Sequence, residues 1–188
     1  MGLLRRERTR QGWPLSEPGL AARARHGILC KKDRQMNTAV EPDMSEDSIK
    51  IRAFQEADRD AVIGLWHRCN LVVPWNDPGR DIDRKRHVQP EWFLVGEWEG
   101  EVVATLMVGY EGHRGWLNYL AVDPQLRRRG IGRRLVAHAE QILRDAGCPK
   151  INLQVRTKNT AAFGFYRALG FQVDEVTSMG KRLVSDES

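Results

Sequence analysis

The sequence predicts a mixed α/β domain whose sheet starts antiparallel and continues in β-α-β-α-β order. Three strand-like runs follow one another without an intervening helix between residues 92 and 124. From residue 130 onward helical and strand-like patterns alternate, and Gly147 and Gly170 stand where glycines commonly end helices. The 188 residues, 41% of them hydrophobic, are enough for one buried core but few for two.

A strand and two helices are predicted first. The run IKIRAF, residues 49–54, alternates between apolar and polar side chains as a strand does. Residues 56–69 have helical periodicity, with one face formed by Ala57, Ala61, Val62, Leu65, Trp66 and Cys69. The turn residues at 74–79 predict a loop, and a short polar helix follows over residues 81–88.

The middle of the chain predicts three consecutive strands. The runs WFLVGEW (92–98) and EVVATLMVGYEG (101–112) are typical of a hairpin that turns at Glu99 and Gly100. The run GWLNYLAVDP (115–124) is the third strand. The second half adds helices over 130–146 and 160–169, a strand over 151–156, and two strand-like runs after Gly170. The prediction is therefore about seven strands and about four helices.

Residues 1–48 are predicted to be a disordered leader, and residues 49–188 the folded domain. Residues 1–35 hold nine Lys/Arg and three Asp/Glu, a net charge of +6 against +5 for the whole chain, and show no sustained apolar periodicity. Three other interpretations stay open: a basic nucleic-acid arm, an organellar targeting peptide, or sequence upstream of a natural start at Met36 or Met44. Mass spectrometry of the native amino terminus distinguishes the last of them.

Cysteine spacing and hydropathy limit the kind of protein. Cys30, Cys69 and Cys148 form no C-x-x-C pair, so reduced thiols are expected and no metal site is predicted. No run of eighteen apolar residues and no apolar signal segment are present, which predicts a cytoplasmic protein without a membrane partner.

The run LAVDPQLRRRGIGRRL, residues 120–135, predicts an anion site where a strand turns into a helix. The first amides of a helix have no intrahelical partner and face outward with the positive end of its dipole. Gly130 and Gly132 keep side chains away from an approaching diphosphate, and Arg127, Arg128 and Arg129 add positive charge.

Other phosphate-binding classes fit this run less well. No G-x-x-x-x-G-K-[ST] is present, and Leu135 stands where a dinucleotide fingerprint has its third glycine. The basic run 127–134 could also contact nucleic acid, but no nucleic-acid module surrounds it.

The motifs LAVDP, R-x-x-G-x-G and N-x-x-A-x-x-F-Y-x-x-L-G-F resemble those of the GNAT acetyltransferases. More narrowly, PWNDP, GHRG, GCPKI and GKRL are similar to the small bacterial YpeA-like members. The resemblance implies the GNAT fold, with central strands that splay apart, and acetyl transfer from acetyl-CoA to an amine. The resemblance leaves open whether the protein forms a homodimer.

The resemblance also implies roles for individual residues. The backbone of Leu120, Ala121 and Val122 would pair with the pantetheine arm and the acetyl carbonyl. Asn159 would form a hydrogen bond with another part of the cofactor. Tyr166 would protonate the leaving sulfur, although packing alone also explains a tyrosine there. The pyrophosphate would be held by the amides of Arg127, Arg128, Arg129, Gly130, Ile131, Gly132 and Arg133. Many members have glycine at the position of Arg128, which predicts a slightly different loop path here.

The general base is not evident from the sequence. Gln154 stands where relatives that act on protein amino termini often have a glutamate, and an amide cannot accept the proton. Asp77 and Glu111 are the candidates, although a turn role also explains each. Deprotonating a lysine near pKa ~10.4 at neutral pH costs about 4 kcal/mol, and an α-amine near ~7.8 less than about 1, so a low-pKa acceptor is favoured if no strong base exists.

The predicted acceptor contacts are Trp75 and Asn76, in the loop that would cover the open end of the cleft, and a loop-anchoring role is the alternative for both. His113 is predicted to be a turn residue. A protein that binds acyl-CoA without catalysis, as a sensor or partner-binding protein, is the second function considered.

Overall fold

The computed structural model of the protein describes residues 49–186. The predicted leader, residues 1–48, lies outside the described residues. The strands are β1 (Lys50–Ala53), β2 (Phe93–Trp98), β3 (Glu101–Tyr110), β4 (Gly115–Val122) and β5 (Ile151–Leu153). The helices are α1 (Arg59–Arg68), α2 (Pro78–Arg86), α3 (Ile131–Asp145) and α4 (Thr160–Ala168).

The five strands form one sheet in the order β1-β2-β3-β4-β5. The first four are mutually antiparallel, and β5 runs parallel to β4. The predicted mixed, mostly antiparallel sheet is confirmed, as are four α-helices within the described range.

The strand count differs from the prediction of about seven. The two runs after Gly170 form no strand within residues 171–186, and β5 ends at Leu153 instead of residue 156. Val173 is 67% exposed and Leu183 86%, so the apolar side chains of these runs meet no core. Alternating side chains form a strand only where a partner edge pairs with them, and β5 offers an edge of three residues.

Helix α1 buries Val62, Leu65 and Trp66, as predicted. Its predicted face is shorter, however, because the segment begins with a 3-10 turn before the α-helix starts. The tighter pitch of that turn changes the phase of the face, and Ala57 and Ala61 are exposed.

Helix α2 starts at Pro78, earlier than the predicted residue 81, and ends at Arg86. The Asp77 carboxylate caps it, accepting a hydrogen bond from the Arg80 amide at 2.9 Å. Proline in the first turn lacks only an N–H that has no helical partner there, so Asp-Pro favours a helix start.

The predicted turn residues have the expected backbone. Glu99 and Gly100, with φ of 51° and 83°, form the two-residue connection between β2 and β3, and such turns match the twist of a hairpin. Gly147 and Gly170 have φ of 75° and 91° just past α3 and α4, so both helices end at the predicted glycines.

The core lies on both faces of the sheet. Helix α3 covers one face, through Ile131, Leu135, Val136, Ala139 and Leu143. Helices α1 and α2 cover the other, through Val62, Leu65, Trp66 and Ile82. None of the helices between residues 49 and 186 has both the length and the apolarity needed to cross a membrane.

Candidate active site

Strand β4 has a bulge in its middle. Its register with β3 shifts between Thr105 and Met107, so one residue of β3 faces two of β4. One of these two, Tyr119, has a φ of 53°. Two buried hydrogen bonds hold it there: the indole of Trp66 donates to Thr105 Oγ1, and that hydroxyl donates to the Tyr119 carbonyl, both at 2.9 Å.

Beyond the bulge, β4 has no strand neighbour on its β5 side. The two strands form three residue pairs, and the last joins Leu117 to Leu153, where β5 ends. Leu120, Ala121 and Val122 therefore lie on an edge that no described strand covers on that side. The predicted separation of the central strands is confirmed.

The amino terminus of α3 lies next along the chain. Gly130 is its N-cap residue, with a φ of 76°, and Arg128 before it has a φ of 68°. The amide of Arg134 donates to the Gly130 carbonyl at 3.1 Å, in the first turn of the helix. Residues 131–133 precede this bond, so their amides stand at the positive end of the helix dipole.

Gly132 packs against two other elements. A Cβ atom there would lie 3.2 Å from the Phe165 ring of α4 and 3.6 Å from a methyl of Val122. A side chain at this position would therefore meet protein, and the access that this glycine gives a diphosphate to the backbone stays a prediction. The absence of a side chain lets α3, α4 and the end of β4 meet.

The arginines of the turn differ in their surroundings. Arg127, Arg128 and Arg133 are exposed, whereas Arg129 is partly buried. The Arg127 Nε group donates to the Val122 carbonyl at 3.4 Å, which directs this side chain toward the end of β4.

Tyr166 lies on α4 with its ring packed edge-on against Phe165 and Phe171, at centroid distances of 5.1 and 5.5 Å. Burial among these rings raises the pKa of Tyr166 to about 12. The side chain also lines a cleft of about 1760 Å³. The phenol is thus protonated at neutral pH and open to a ligand on one side.

Asn159 caps the helix that carries Tyr166. Its Oδ1 accepts a hydrogen bond from the Ala162 amide at 3.0 Å. The side-chain NH2 group is the part that the cap does not use. The predicted cofactor contact would therefore have to come from this group.

A polar network occupies the opposite part of the cleft, where Asn76, Asp81, Arg84 and Tyr119 line the wall. The Tyr119 hydroxyl donates to Asp81 Oδ2 at 2.5 Å, and Arg84 Nη1 donates to Asp81 Oδ1 at 2.9 Å. Arg84 also forms an ion pair with the buried Asp186. Burial, followed by the Asp81 carboxylate, raises the pKa of Tyr119.

The two predicted acceptor contacts lie near this network. Asn76 lines the cleft, and its Oδ1 accepts from Arg182 at 3.2 Å. Trp75 is 49% exposed, and the Arg156 guanidinium stacks over its ring at 5.9 Å. Both roles of Trp75, the acceptor contact and the loop anchor at the edge of the core, stay predictions.

The two predicted base candidates have structural partners. Asp77 caps α2, and Glu111 Oε1 accepts from the Arg114 amide at 2.9 Å in the β3–β4 turn, beside the exposed His113. Backbone hydrogen bonds, with those from the Glu111 and Arg114 amides largest, lower the pKa of Glu111. Neither carboxylate lines the cleft.

Lys85 is a partly buried cation in the same cleft wall. Its Nζ donates to the carbonyls of Val88 and Val108, at 2.9 and 2.6 Å. Burial lowers the pKa of Lys85 to about 8, opposed only by the nearby Glu91.

The sequence model of the Acetyltransferase (GNAT) family matches residues 56–171. This range covers more than half of the chain and includes the bulge, the α3 amino terminus and Tyr166. The chain belongs to the GNAT acetyltransferase family. It is therefore an acyltransferase, of a family that uses acetyl-CoA and an acceptor.

Two relatives of this GNAT chain are bacterial proteins named as acetyltransferases. The protein from Pectobacterium atrosepticum is 47% identical over 138 residues, which is 73% of this chain and 98% of the relative. The protein from Yersinia enterocolitica is 45% identical over 139 residues, 74% of this chain and 99% of the relative. The match thus extends over nearly the full length of both relatives.

A solved structure also matches the GNAT chain. The ribosomal-protein-S18-alanine N-acetyltransferase of Escherichia coli has a TM-score of 0.56 and is 26% identical, with 66% of this chain and 77% of that chain covered. The shared GNAT fold is thus supported by backbone geometry as well as by sequence.

Arg128, where many GNAT members are expected to have glycine, has a positive φ. Its φ of 68° lies in the left-handed region, which costs a non-glycine residue roughly 1 kcal/mol. The arginine thus adopts a conformation that glycine adopts freely, and the different loop path stays a prediction.

Sequence reasoning missed Asp81, Tyr119 and Lys85 as residues of the GNAT cleft. The signal that would have found two of them is the Asp77–Pro78 helix start. A helix that begins there places Asp81 and Lys85 four residues apart on one face. Tyr119 had no such signal, because its direction depends on a bulge that the sequence pattern does not predict.

Proposed function

We propose that this GNAT enzyme transfers an acetyl group from acetyl-CoA to a primary amine by direct attack in a ternary complex. The observation that carries the proposal is the uncovered edge of β4 at Leu120–Val122. This edge joins the amino terminus of α3 at one end and the cleft that contains Tyr166 and Tyr119 at the other.

Backbone amides at the start of α3 would hold the diphosphate of the donor. Helix amino termini bind phosphate groups because several backbone N–H groups point at the phosphate oxygens, and the positive end of the helix dipole attracts their negative charge. Residues 127–133 supply these amides, and the exposed Arg127, Arg128 and Arg133 supply charge around them. Gly132 contributes by letting the turn approach β4.

The pantetheine arm would pair with the free edge of β4. The arm carries two amide groups, which the backbone of Leu120, Ala121 and Val122 would pair with; the Val122 carbonyl would exchange its bond from Arg127 Nε for one from the arm. In the part of the cleft beside the start of β4, where Asn152 pairs with Trp116, Asn152 Oδ1 is buried and has no hydrogen-bond partner among the described residues. Asn152 lines the cleft, so a ligand N–H there would satisfy it.

Tyr166 would donate a proton to the sulfur as the thioester breaks. With a pKa of about 12 its hydroxyl is fully protonated at neutral pH. A hydrogen bond to sulfur strengthens as negative charge develops there, so it favours the transition state over the bound donor.

The acceptor is proposed to be a primary amine of low pKa. Neither Asp77 nor Glu111 lines the cleft, and Gln154 there donates its side-chain amide to Ser178. Without a strong base, kcat/KM for the amine is expected to rise with pH along the acceptor's own pKa. An acidic limb that keeps the same pKa for every acceptor would contradict this. The name of the matched Escherichia coli structure, an alanine N-acetyltransferase, supports an amine acceptor.

The test combines donor binding with turnover. Calorimetry with coenzyme A measures the donor site, and thiol release from acetyl-CoA is followed with free amino acids, polyamines, peptides and small antibiotics. Uptake of coenzyme A together with amine-dependent release supports the proposal. No uptake by the folded protein contradicts it, and uptake without release by any amine would favour an acyl-CoA sensor. Filter binding across salt concentrations tests the nucleic-acid alternative.

A further inference from the structure

Among the carboxylates that line the cleft, Asp81 is the one bonded to β4. Glu140, on α3, pairs with Arg144 at 2.7 Å, and Asp174, after α4, pairs with Lys150 at 2.5 Å. Asp81 instead accepts from the hydroxyl of Tyr119, the residue directly before the edge that would hold the thioester. One tyrosine side chain thus separates its carboxylate from the bulge.

The Asp81 carboxylate is fixed but not closed off. Tyr119 holds one oxygen, and its ring is itself stacked on the buried Trp66 at 4.1 Å. Arg84 holds the other oxygen at 2.9 Å. The side chain keeps 17% of its surface exposed, and each carboxylate oxygen retains acceptor capacity after one hydrogen bond. An N–H donor in the cleft can therefore reach it.

The local charge also favours a positive partner. Arg84 is shared between two carboxylates, because Nη1 donates to Asp186 Oδ2 at 2.9 Å as well as to Asp81. Arg80 approaches only Asp186, at 3.7 Å. One guanidinium between two carboxylates leaves Asp81 with part of its negative charge uncompensated, so positive charge beside it is stabilised.

We propose that Asp81 accepts an N–H of the neutral acceptor amine and stabilises the positive charge that develops on its nitrogen during attack. This inference rests on the proposed function. The bond between nitrogen and the carbonyl carbon forms, and the bond between that carbon and sulfur breaks. The extra proton leaves the nitrogen through the Asp81 carboxylate to water, and the Tyr166 hydroxyl protonates the thiolate and is reprotonated from water.

The carboxylate acts on the attacking nitrogen and not on the free ammonium. A carboxylate is too weak a base to take a proton from an alkylammonium ion to a useful extent. Charge on the nitrogen is absent in the bound neutral amine and present in the transition state. Asp81 is therefore expected to contribute to kcat more than to binding.

The test is Asp81→Asn, with Asp83→Asn as the matched control. Asp83 lies on the same helix, is exposed and bonds Arg59 outside the cleft, so it undergoes the same chemical change without facing the site. Asp81→Asn is expected to lower kcat/KM for the amine on the order of 100-fold, mostly in kcat. The Kd for coenzyme A should stay within about threefold, and Asp83→Asn should keep full turnover.

Tyr119→Phe provides a second variant in case Asp81→Asn does not fold. It leaves the carboxylate in place but removes the bond that orients it, and roughly a tenfold loss of kcat is expected. An active wild-type enzyme whose folded Asp81→Asn variant stays within about threefold of it overturns this inference alone. An equal loss of coenzyme A affinity in that variant also overturns it. A wild-type protein that turns over no amine overturns the proposed function as well.

Discussion

Tyr166 combines a protonated hydroxyl with a nearly apolar setting. Its ring is held edge-on by Phe165 and Phe171, so rotation of the phenol is restricted by packing. The same burial that raises the pKa of Tyr166 to about 12 also keeps the hydroxyl oriented. A thiolate is a weaker base than a phenolate of this pKa, since a thiol has a reference pKa near ~8.5, so the main contribution of Tyr166 is a hydrogen bond that strengthens as charge develops on the sulfur.

Replacing Tyr166 with phenylalanine is expected to lower kcat on the order of 100-fold, because the departing thiolate loses its proton donor. The Kd for coenzyme A should change less than about threefold, since the ring and its packing remain. Thiol release and calorimetry measure the two quantities. Tyr110→Phe is the control, because it removes a hydroxyl from a tyrosine that does not line the cleft. Unchanged turnover in Tyr166→Phe would remove this residue from the mechanism.

At the scale of single residues, the sequence predicted where a residue lies in the fold better than it predicted which residues it contacts. Asn159 and Gly132 lie where the motif places them, yet one is an N-cap and the other a packing glycine. Both structural roles depend on neighbours that are three or more residues away. The Asp77–Pro78 helix start is a local signal for the position of Asp81, but its hydrogen-bond partner Tyr119 lies 38 residues along the chain.

The β4 bulge depends on one buried hydroxyl. Thr105 is fully buried, and its Oγ1 links the indole N–H of Trp66 to the carbonyl of Tyr119. Both of these groups belong to side chains or backbone that water does not reach easily. Losing the hydroxyl would leave a donor and an acceptor unpaired at the same time.

Thr105→Val is therefore expected to destabilise the fold by about 2 to 4 kcal/mol, since the shape is kept while two polar groups lose their partner. Urea unfolding measures the change. Thr105→Ser keeps the hydroxyl and loses one methyl, so about 1 kcal/mol is expected for it. Equal losses in the two variants would mean that packing, and not the hydrogen-bond chain, holds the bulge.

Secondary-structure elements were predictable where their signals are local. Helices α3 and α4 end at glycines with positive φ, and the β2–β3 turn lies at Glu99 and Gly100. The length of β5 and the conformation of residues 171–186 were not predictable, because both depend on which strands pair with these segments. The bulge belongs to the same class, since only the register with β3 defines it.

At the scale of the whole molecule, Lys85 links stability to pH. Burial lowers its pKa from 10.5 to about 8 in the folded state. Between these values the unfolded chain binds more protons than the folded one, so the free energy of unfolding increases as pH rises. The cost of burying the charge is present below pH ~8 and is lost above ~10.5.

The free energy of unfolding is expected to rise by roughly 1 to 2 kcal/mol from this group between pH ~8 and ~10.5, a value already reduced for solvent screening of a partly exposed lysine. Denaturant unfolding across this range measures it. Lys85→Met should remove that part of the rise, whereas Lys50→Met, at an exposed position of β1, should retain it. An identical pH dependence in all three proteins would contradict the assignment.

The uncovered edge of β4 at Leu120–Val122 has a consequence for the steady-state kinetics of the enzyme. If the arm of the donor completes the sheet along Leu120–Val122, most of the binding contacts involve parts of the molecule that acetyl transfer leaves unchanged. Free coenzyme A would then bind this edge of β4 almost as tightly as acetyl-CoA does. Strong product inhibition by free coenzyme A, competitive with acetyl-CoA, is then expected, and the ratio of the two would set the rate.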